Sequence, residues 1–583
     1  MPRKMAKIRR LDNPREHKRV LILSLLLLGA TFAAYSNSLS GAFVFDDRST
    51  ILEDPHLGKF DSLARVLLGV RGGPTGGRPL TSLSFYLNAV VSGRAPAGYH
   101  LVNILIHAAA GLALFGCLRG IMTGRGGSHE GVDTTAAFAV SLLWLLHPLQ
   151  TEAVTYISQR AESLMGLFFI LSVHAAVRGF GSTRPTPWFR WAAFASLLSV
   201  LAKEVGVVAP VVVLVYDSYF VSDGVHTALK RHRRLYAGLT LTWVAAAFLQ
   251  LSGPRGYSVS LTNETLSPLG YLQRQVVGIL MYLKLAVWPS PLVFDYGFPP
   301  PVPPLGTTIV AGAVLAGMAV VSFFLVRRRL LVGFAGIAFF VILAPSSSVI
   351  PILTEVLAEH RMYLPLSCVL GVLVGGAFAL IGHWQRKGWL PATRGVGIVG
   401  WAILALTGSV LGVLTYQRNA VYHSEMSLWR DTVAKGPPSP RAQSNLGVAL
   451  MEAGRVDDAL THFREALSMN PEYFEANGNM AVALERLGRP EEALPYMLRA
   501  VRRNQGSVLA WERLVRLLGE LGRWDEAAAA ALDYVKAFPS RPDANSACAV
   551  ALLRAGRKAE ALPFMRRAKE LEAATKAGSG TPR

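Results

Sequence analysis

Long apolar runs alternate with short polar and basic segments along the first 416 residues of the chain. A hydrocarbon layer about 30 Å thick needs roughly 20 apolar residues in helical form to cross it. Twelve runs come near that length: 20–39, 99–121, 133–149, 161–179, 188–202, 204–220, 235–253, 270–288, 307–326, 331–349, 361–383 and 394–416. The pattern therefore predicts a polytopic helix bundle over residues 20–416, preceded by a basic segment at 1–19.

The first run, 20–39, follows Arg15, Lys18 and Arg19. A cleaved signal peptide would also place an apolar stretch behind basic residues. This run is long for a signal peptide, and further apolar runs follow it. We therefore interpret it as a first membrane helix whose N-terminus lies in the cytoplasm.

Basic clusters between the runs indicate how many of them span the membrane. The clusters lie at 230–234, 327–329 and 386–387, and short basic loops are typical of the cytoplasmic side. If all twelve runs span, cluster 327–329 falls outside; if 270–288 does not span, every cluster falls inside. We therefore predict eleven spans with the C-terminus outside the cytoplasm, in a bacterial inner membrane or in the membrane of the endoplasmic reticulum.

A different pattern, with a period of 34 residues, follows the last apolar run. It consists of Ala442, Ala476, Ala510 and Ala544, of Gly454, Gly488, Gly522 and Gly556, and of Ala459, Ala493, Ala527 and Ala561. This period and these small residues indicate tetratricopeptide repeats, in which helix pairs stack into a superhelix with a groove. We predict a linker at 417–439, four repeats over 440–575 and a disordered tail at 576–583.

The predicted fold class is therefore all-α, with a membrane helix bundle followed by a soluble α-solenoid. The groove of such a solenoid is suited to docking a polypeptide. The alternative is that the repeats are a passive cap that stabilises the membrane part.

The composition agrees with this organisation and excludes some classes of protein. Hydrophobic residues make up 51% of the chain and charged residues only 17%, below the roughly 25% of soluble domains. The net charge is +21, but the basic residues lie between apolar runs, so we expect no nucleic-acid partner. The three cysteines, Cys117, Cys368 and Cys548, form no metal-binding or disulfide pattern.

Polar motifs fall on the outer side of the membrane in the eleven-span topology. They are Asp46-Asp47, Arg78-Pro79-Leu80, the segment from His147 to Glu162, Lys203-Glu204, Asp295-Tyr296 and Glu359-His360-Arg361. Ionisable groups near membrane depth are expensive and mark functional sites. The pattern predicts one site that opens outward.

The adjacent carboxylates Asp46 and Asp47 follow directly after the first membrane helix. One of them could take a proton from an acceptor hydroxyl, while the other orients it or holds a divalent metal ion. A pair of Asp residues is equally typical of a turn or a helix start. The residues alone leave both interpretations open.

Several short motifs in a fixed order are similar to a known family. They are the acidic pair, Arg78-Pro-Leu-Thr-Ser-Leu-Ser-Phe-Tyr86, Tyr99-His-Leu-Val-Asn103, His147-Pro148, Glu152-Ala-Val154, Arg160-Ala-Glu162, Lys203-Glu204 and His360-Arg361-Met-Tyr-Leu-Pro365. The sequence resembles the transmembrane and tetratricopeptide-repeat protein O-mannosyltransferases over about residues 20–575. Those proteins belong to a GT-C-like class of polytopic glycosyltransferases that use lipid-phosphate sugars.

The resemblance implies an inverting transfer of a sugar, mannose, from a polyprenyl-phosphate donor to a hydroxyl of an acceptor protein outside the cytoplasm. It implies that Asp46 or Asp47 is the catalytic base and that the repeats bind the acceptor. It requires no nucleotide sugar, and it leaves dependence on a divalent metal open, with no metal ligands assigned.

The leaving phosphate needs cations, and arginine is its best bidentate partner. The expected donor-phosphate residues are Arg361 with His360, then Lys203 and Arg160, and the remaining candidate site residues are Arg78, Glu162 and Glu204. Each cation has an alternative role at the membrane interface beside a glutamate.

Two rival functions remain. An envelope oligosaccharide ligase or polymerase would use a pyrophosphate donor and would need more clustered arginines in one outer loop. A transporter or assembly scaffold without chemistry would place charges at mid-membrane and repeat its spans internally. The charges here lie at the outer ends of the runs.

Overall fold

The computed structural model describes residues 14–54, 57–58, 76–123, 130–252, 266–297, 300–347, 352, 355–391 and 394–579. These residues form helices and connecting turns, with no β-strand among them. The chain divides into two compact units, Met1–Leu428 and Trp429–Arg583. The all-α prediction is confirmed.

Fifteen α-helices in the described part of the first unit form a bundle. They are α1 Pro14–Tyr35, α2 Pro79–Ser92, α3 Pro96–Thr123, α4 Glu130–Leu146, α5 Thr151–Thr155, α6 Arg160–Phe180, α7 Pro185–Ala202, α8 Ala209–Tyr216, α9 Val225–Arg231, α10 Arg233–Ser252, α11 Pro268–Val287, α12 Leu305–Arg327, α13 Leu331–Leu343, α14 Pro365–Arg386 and α15 Arg394–Asn419.

Seven helical segments in the described residues are long and apolar enough to cross a membrane, and an eighth is a pair bent by 56°. The pair consists of Val132–Leu146 and Pro148–Thr155. Helix α11, which covers the run that the eleven-span topology leaves out, is not among these segments. The count of eleven stays a prediction.

Apolar side chains cover much of the outside of this bundle. Ile309 and Phe324 on α12 are more than half exposed, and so are Ile398 and Leu406 on α15. Large exposed apolar surfaces are rare on soluble monomers. This surface fits an integral membrane protein.

Polar contacts identify the two ends of the bundle. At one end, Glu16 of α1 accepts a hydrogen bond from Thr134 of α4 at 2.7 Å and lies 3.7 Å from Arg119 of α3. At the other end, the side-chain amide of Asn419 on α15 donates to the Ala34 carbonyl of α1 at 3.0 Å. The loop after α1 therefore lies at the end where α3 begins and α15 finishes, which we call the site end.

A buried aromatic cluster joins three helices in the core. The Tyr363 hydroxyl lies 3.0 Å from His107 Nδ1, and the Trp144 indole donates to the Tyr363 carbonyl at 2.7 Å. All three side chains are fully buried. His107 is thus a packed core histidine, and the cluster fixes the start of α14 beside α3 and α4.

The second unit consists of helix pairs that begin 34 residues apart. The pairs are α17 Pro440–Glu452 with α18 Val456–Met469, α19 Phe474–Arg486 with α20 Pro490–Arg503, α21 Val508–Glu520 with α22 Trp524–Ala537, and α23 Pro542–Arg554 with α24 Lys558–Ser579. The second helix of each pair buries one repeated alanine completely: Ala459, Ala493, Ala527 and Ala561. No larger side chain would fit so close a helix contact without displacing its neighbours.

The two segments that flank the repeats contain more helix than the sequence pattern indicates. The predicted linker 417–439 contains the end of α15 and the helix α16 Glu425–Lys435. The last helix continues through Ser579, four residues into the tail predicted to be disordered from 576. Residues 580–583 of that tail, and 1–13 of the basic N-terminal segment, lie outside the described residues.

Two glycines of the second repeat predict opposite effects of alanine. Gly488 has φ of +70°, where a side chain is strained, whereas Gly478 lies inside α19 with open space around its Cα. We expect Gly488→Ala to destabilise this repeat by roughly 1 kcal/mol and Gly478→Ala to stabilise it by about 0.5–1 kcal/mol. Hydrogen exchange of the α19 and α20 amides in the full-length protein measures both. Equal effects of the two variants would contradict the assignment of the turn.

Candidate active site

The loop after α1 is anchored by the buried carboxylate of Asp47. Its Oδ2 accepts from the Val44 backbone at 3.1 Å, and its Oδ1 accepts from the Ser158 backbone and hydroxyl at 2.7 and 2.5 Å. Burial raises the pKa of Asp47 to about 7, although the bonds from Ser158 and Val44 oppose this. Asp47 thus ties the loop to the turn that precedes α6.

Asp46 occupies a different environment although it is the next residue. It is only half-buried, and its backbone N–H donates to the Tyr156 hydroxyl at 3.2 Å. Phe45 before it has φ of +49°, a conformation that costs a non-glycine residue of order 1–3 kcal/mol. The Glu425 carboxylate accepts the Phe45 N–H at 3.3 Å and helps to hold this turn. The strained turn points the two neighbouring carboxylates into different surroundings.

Tyr156 connects the acidic pair to a second group of side chains. Burial raises the pKa of its phenol well above the usual range, and the charges of Asp46, Asp47 and Glu355 raise it further. The charges of three carboxylates from two distant parts of the chain therefore act on one buried hydroxyl.

Glu152 on α5 and His360 on the turn Glu359–Met362 form the centre of that second group. The Glu152 Oε2 accepts from the His360 backbone at 2.9 Å, and the Oε1 lies 2.7 Å from His360 Nδ1. Both side chains are buried. One carboxylate therefore fixes both the backbone and the ring of His360.

Lys203 and Glu162 form a buried ion pair beside this histidine, with Nζ and Oε2 2.6 Å apart. Burial lowers the pKa of His360 to about 4, and the charge of Lys203 lowers it further, while Glu355 and Glu162 act in the opposite direction. The neutral imidazole of His360 is thus influenced by one cation, Lys203, and by two carboxylates.

Arg78 and Glu204 lie at a more open position next to this pair. Their side chains approach to 3.1 Å, and the Glu204 side chain is 52% exposed. The Thr81 hydroxyl on α2 donates to the Ala202 carbonyl at the end of α7 at 2.9 Å, which holds the two segments together. Among the predicted site cations, Arg78 is therefore the one paired with an exposed carboxylate, whereas Lys203 is paired with the buried Glu162.

Arg361 is surrounded by protein acceptors. Its Nη1 donates to the carbonyls of Ser346 and Val356, both at 2.9 Å, and its Nη2 donates to the Glu355 carbonyl at 2.5 Å. In this structure Arg361 positions the segment that carries Glu355. The sequence-based role in binding the donor phosphate stays a prediction.

Arg160 has a comparable environment and is fully buried. Its guanidinium donates to Asn103 Oδ1 at 2.6 Å, to Asn88 Oδ1 at 2.8 Å and to the carbonyls of Tyr99 and Ser84 at 3.0 and 3.3 Å. It also lies 4.4 Å from the centre of the Phe85 ring. These contacts join α2, α3 and α6 and favour a structural role.

Glu359 supports the turn from the other side. Its Oε1 accepts from the Val293 backbone at 2.6 Å and from the Tyr296 hydroxyl at 2.8 Å. Burial raises the pKa of Glu359 to about 7, and the charge of Arg418 opposes this. The Asp295-Tyr296 motif therefore packs under the turn Glu359–Met362.

Comparison with known proteins gives this arrangement a context. A tetratricopeptide-repeat family model matches residues 428–508 and 513–577. The chain is 27% identical to Protein O-mannosyl-transferase Tmtc3 of Drosophila melanogaster, a match that covers 77% of this chain and 55% of that protein. It is 34% identical to Protein O-mannosyl-transferase TMTC2 of Homo sapiens, over 34% of this chain and 24% of that protein.

The chain is thus similar to proteins named protein O-mannosyl-transferases. Its match spans about half of the fly relative and a quarter of the human one. Among solved structures, a crystal structure of MamA protein matches 27% of this chain and 86% of its own, with 18% identity and a TM-score of 0.25.

The structure adds three residues to the catalytic and donor-binding candidates: Glu152, Tyr156 and Glu355. Glu152 belongs to one of the motifs on which the family resemblance rests, but its distance from His360 in the sequence gives no sign that the two side chains meet. Tyr156 lies inside the segment from His147 to Glu162, where nothing in the sequence marks it as a site residue, and Glu355 lies in a short loop without any recognisable pattern. Only the packing of the bundle brings the three together.

The contacts of Arg160 predict that it is needed for folding. In Arg160→Lys, a single ammonium cannot replace donors from three nitrogens, and each buried acceptor left unpaired costs about 1–3 kcal/mol. We expect a lower thermal unfolding temperature of the purified protein, measured by the loss of its monodisperse chromatographic peak on heating. The matched control is Arg94→Lys, whose exposed side chain donates to the Asp54 carbonyl at 3.3 Å. Unchanged stability of Arg160→Lys would instead favour the phosphate-binding role.

Proposed function

We propose that this protein is a membrane glycosyltransferase that moves mannose from a polyprenyl-phosphate donor to a hydroxyl of an acceptor protein, on the outer or lumenal face of the membrane. The observation that supports this most directly is the group of carboxylates and cations at the site end, in a relative of the protein O-mannosyl-transferases. Carboxylates can accept a proton there, and cations can stabilise a leaving phosphate.

Asp46 is the better placed of the two aspartates to act as the base. It is half-buried and within reach of an acceptor hydroxyl, whereas Asp47 is fully buried and holds the loop through both of its oxygens. The acceptor oxygen attacks the anomeric carbon as the bond to the phosphate breaks, and its proton passes to Asp46. The configuration at that carbon inverts, and Asp47 acts as a positioning residue.

Arg78 and Lys203 are the cations that we assign to the leaving phosphate. Arg78 lies beside an exposed carboxylate, and Lys203 is a buried cation whose charge acts on His360. Each is already paired with a glutamate, which keeps its charge in place before the donor binds. Arg361 and Arg160 support this site through the backbone segments that they hold.

The repeats are suited to holding the acceptor polypeptide. A groove of about 890 Å³ lies between the third and fourth repeats. It combines an apolar wall at Trp524 and Val550 with the charged side chains of Glu512, Arg516 and Asp543. Such a mixed surface can bind an extended segment through both its apolar and its polar groups.

A reconstituted transfer assay tests the proposed function. The purified protein in liposomes receives radiolabelled polyprenyl-phosphate mannose and protein acceptors from cells that lack this gene. We expect label on Ser or Thr hydroxyls, and none when a nucleotide-linked mannose replaces the lipid donor. Absence of label from the lipid donor, in a preparation that remains folded, would contradict the proposal.

The two aspartates should respond differently to substitution. Asp46→Asn removes the base, so we expect turnover to fall by roughly 10²–10⁴ with unchanged thermal stability. Asp47→Asn places an amide donor where Asp47 accepts the N–H of Val44 or Ser158, so both turnover and stability should fall. Turnover and unfolding temperature are measured for both variants. Full turnover of Asp46→Asn would exclude Asp46 as the base.

A further inference from the structure

Three side chains near the site end form a group with the donor atoms of a metal centre. Glu152, Glu355 and His360 each offer one ligand atom, and these atoms lie within 4.8 Å of one another. Glu152 and His360 are buried, whereas the Glu355 side chain is 34% exposed. The group therefore has a fixed interior and one open side.

Within this group, Glu152 has the contacts of an orienting carboxylate. Both of its oxygens are used, one by the backbone N–H of His360 and the other by the ring Nδ1. A hydrogen bond to Nδ1 places the ring proton on that atom and leaves the lone pair on Nε2. Metal-binding histidines are commonly held in this way, by a carboxylate on the nitrogen that does not bind the metal.

The other ring nitrogen of His360, Nε2, faces the carboxylate of Glu355. The Nε2 atom of His360 lies 3.7 Å from the Oε2 atom of Glu355. That distance is too long for a hydrogen bond, so a proton does not bridge the two atoms. Two ligands at about 2.1 Å from one metal ion lie roughly 3.0–3.5 Å apart, so a small closure would bring both into contact with it.

Arg361 fixes the position of the second ligand. Arg361 follows His360 in the sequence, and its Nη2 donates to the backbone carbonyl of Glu355 at 2.5 Å. Glu152 therefore fixes the ring of His360, and Arg361 fixes the backbone that carries Glu355. Such support is what keeps a metal site in shape before the ion arrives.

We propose that His360 Nε2 and Glu355 Oε2 bind a divalent transition-metal ion, with Glu152 as the carboxylate that orients the histidine. One imidazole and one carboxylate favour Mn²⁺ or Zn²⁺ over Ca²⁺ or Mg²⁺. Two protein ligands leave several coordination positions open on the exposed side of Glu355. Water or a phosphate oxygen can occupy those positions.

Direct measurement of bound metal tests this inference without any turnover. The full-length protein in detergent is stripped with a chelator, dialysed against Mn²⁺ or Zn²⁺, and analysed by mass spectrometry of the metal and by electron paramagnetic resonance of Mn²⁺. We expect one ion per chain in the wild type. We also expect the metal to raise the unfolding temperature, because it binds the folded state.

Three variants separate the ligands from the orienting residue. Glu355→Gln and His360→Gln should lose the ion, whereas Glu152→Gln should still bind one ion with about 10–100-fold weaker affinity. Glu53→Gln is the matched control, because Glu53 is an exposed carboxylate in the loop after α1. Its metal binding should equal that of the wild type.

Two results would overturn the inference. One is a wild-type protein that retains neither metal after dialysis. The other is Glu355→Gln with the stoichiometry and affinity of the wild type, and since Glu355 is partly exposed, this variant is expected to fold. Neither result depends on transfer activity, so failure of the metal site and failure of the proposed function can be told apart.

Discussion

Glu152 and His360 lie 208 residues apart in the chain, and their contact holds the site end together. A buried carboxylate is stable only when its hydrogen-bonding capacity is used, and here two N–H groups of one residue use it. The contact fixes the bent pair of helices that contains α5 against the turn before α14. Because Tyr156 follows α5 by one residue, the same contact also places the phenol that meets the acidic loop after α1.

The cations of the site end divide into two classes by their surroundings. Arg160 and Arg361 donate mainly to backbone carbonyls and amide oxygens, which lets a guanidinium be buried without an ionic partner. Lys203 and Arg78 are paired with glutamates instead, and these pairs can rearrange when another anion arrives. Removing a cation of the first class leaves several acceptors unpaired, whereas removing Lys203 leaves the buried charge of Glu162 without its partner.

Periodic features of this chain could be read from its sequence. Apolar runs predict the membrane bundle, and small residues at a spacing of 34 predict the helix pairs. These pairs begin at Pro440, Phe474, Val508 and Pro542. The pairing of Glu152 with His360 could not be predicted, because it depends on how distant helices pack. The burial of Arg160 could not be predicted either, because an arginine near a helix start looks the same whether phosphate or protein surrounds it.

The 34-residue spacing of the helix pairs also has a consequence for how this unit changes over time. In a solenoid each repeat packs mainly against its neighbours, so its stability is close to a sum of local terms. When one whole repeat is duplicated or deleted, each remaining repeat still packs against a neighbour of the same structure. The length of the groove can therefore vary between descendants of one gene while the membrane bundle, with its long-range contacts, stays unaltered.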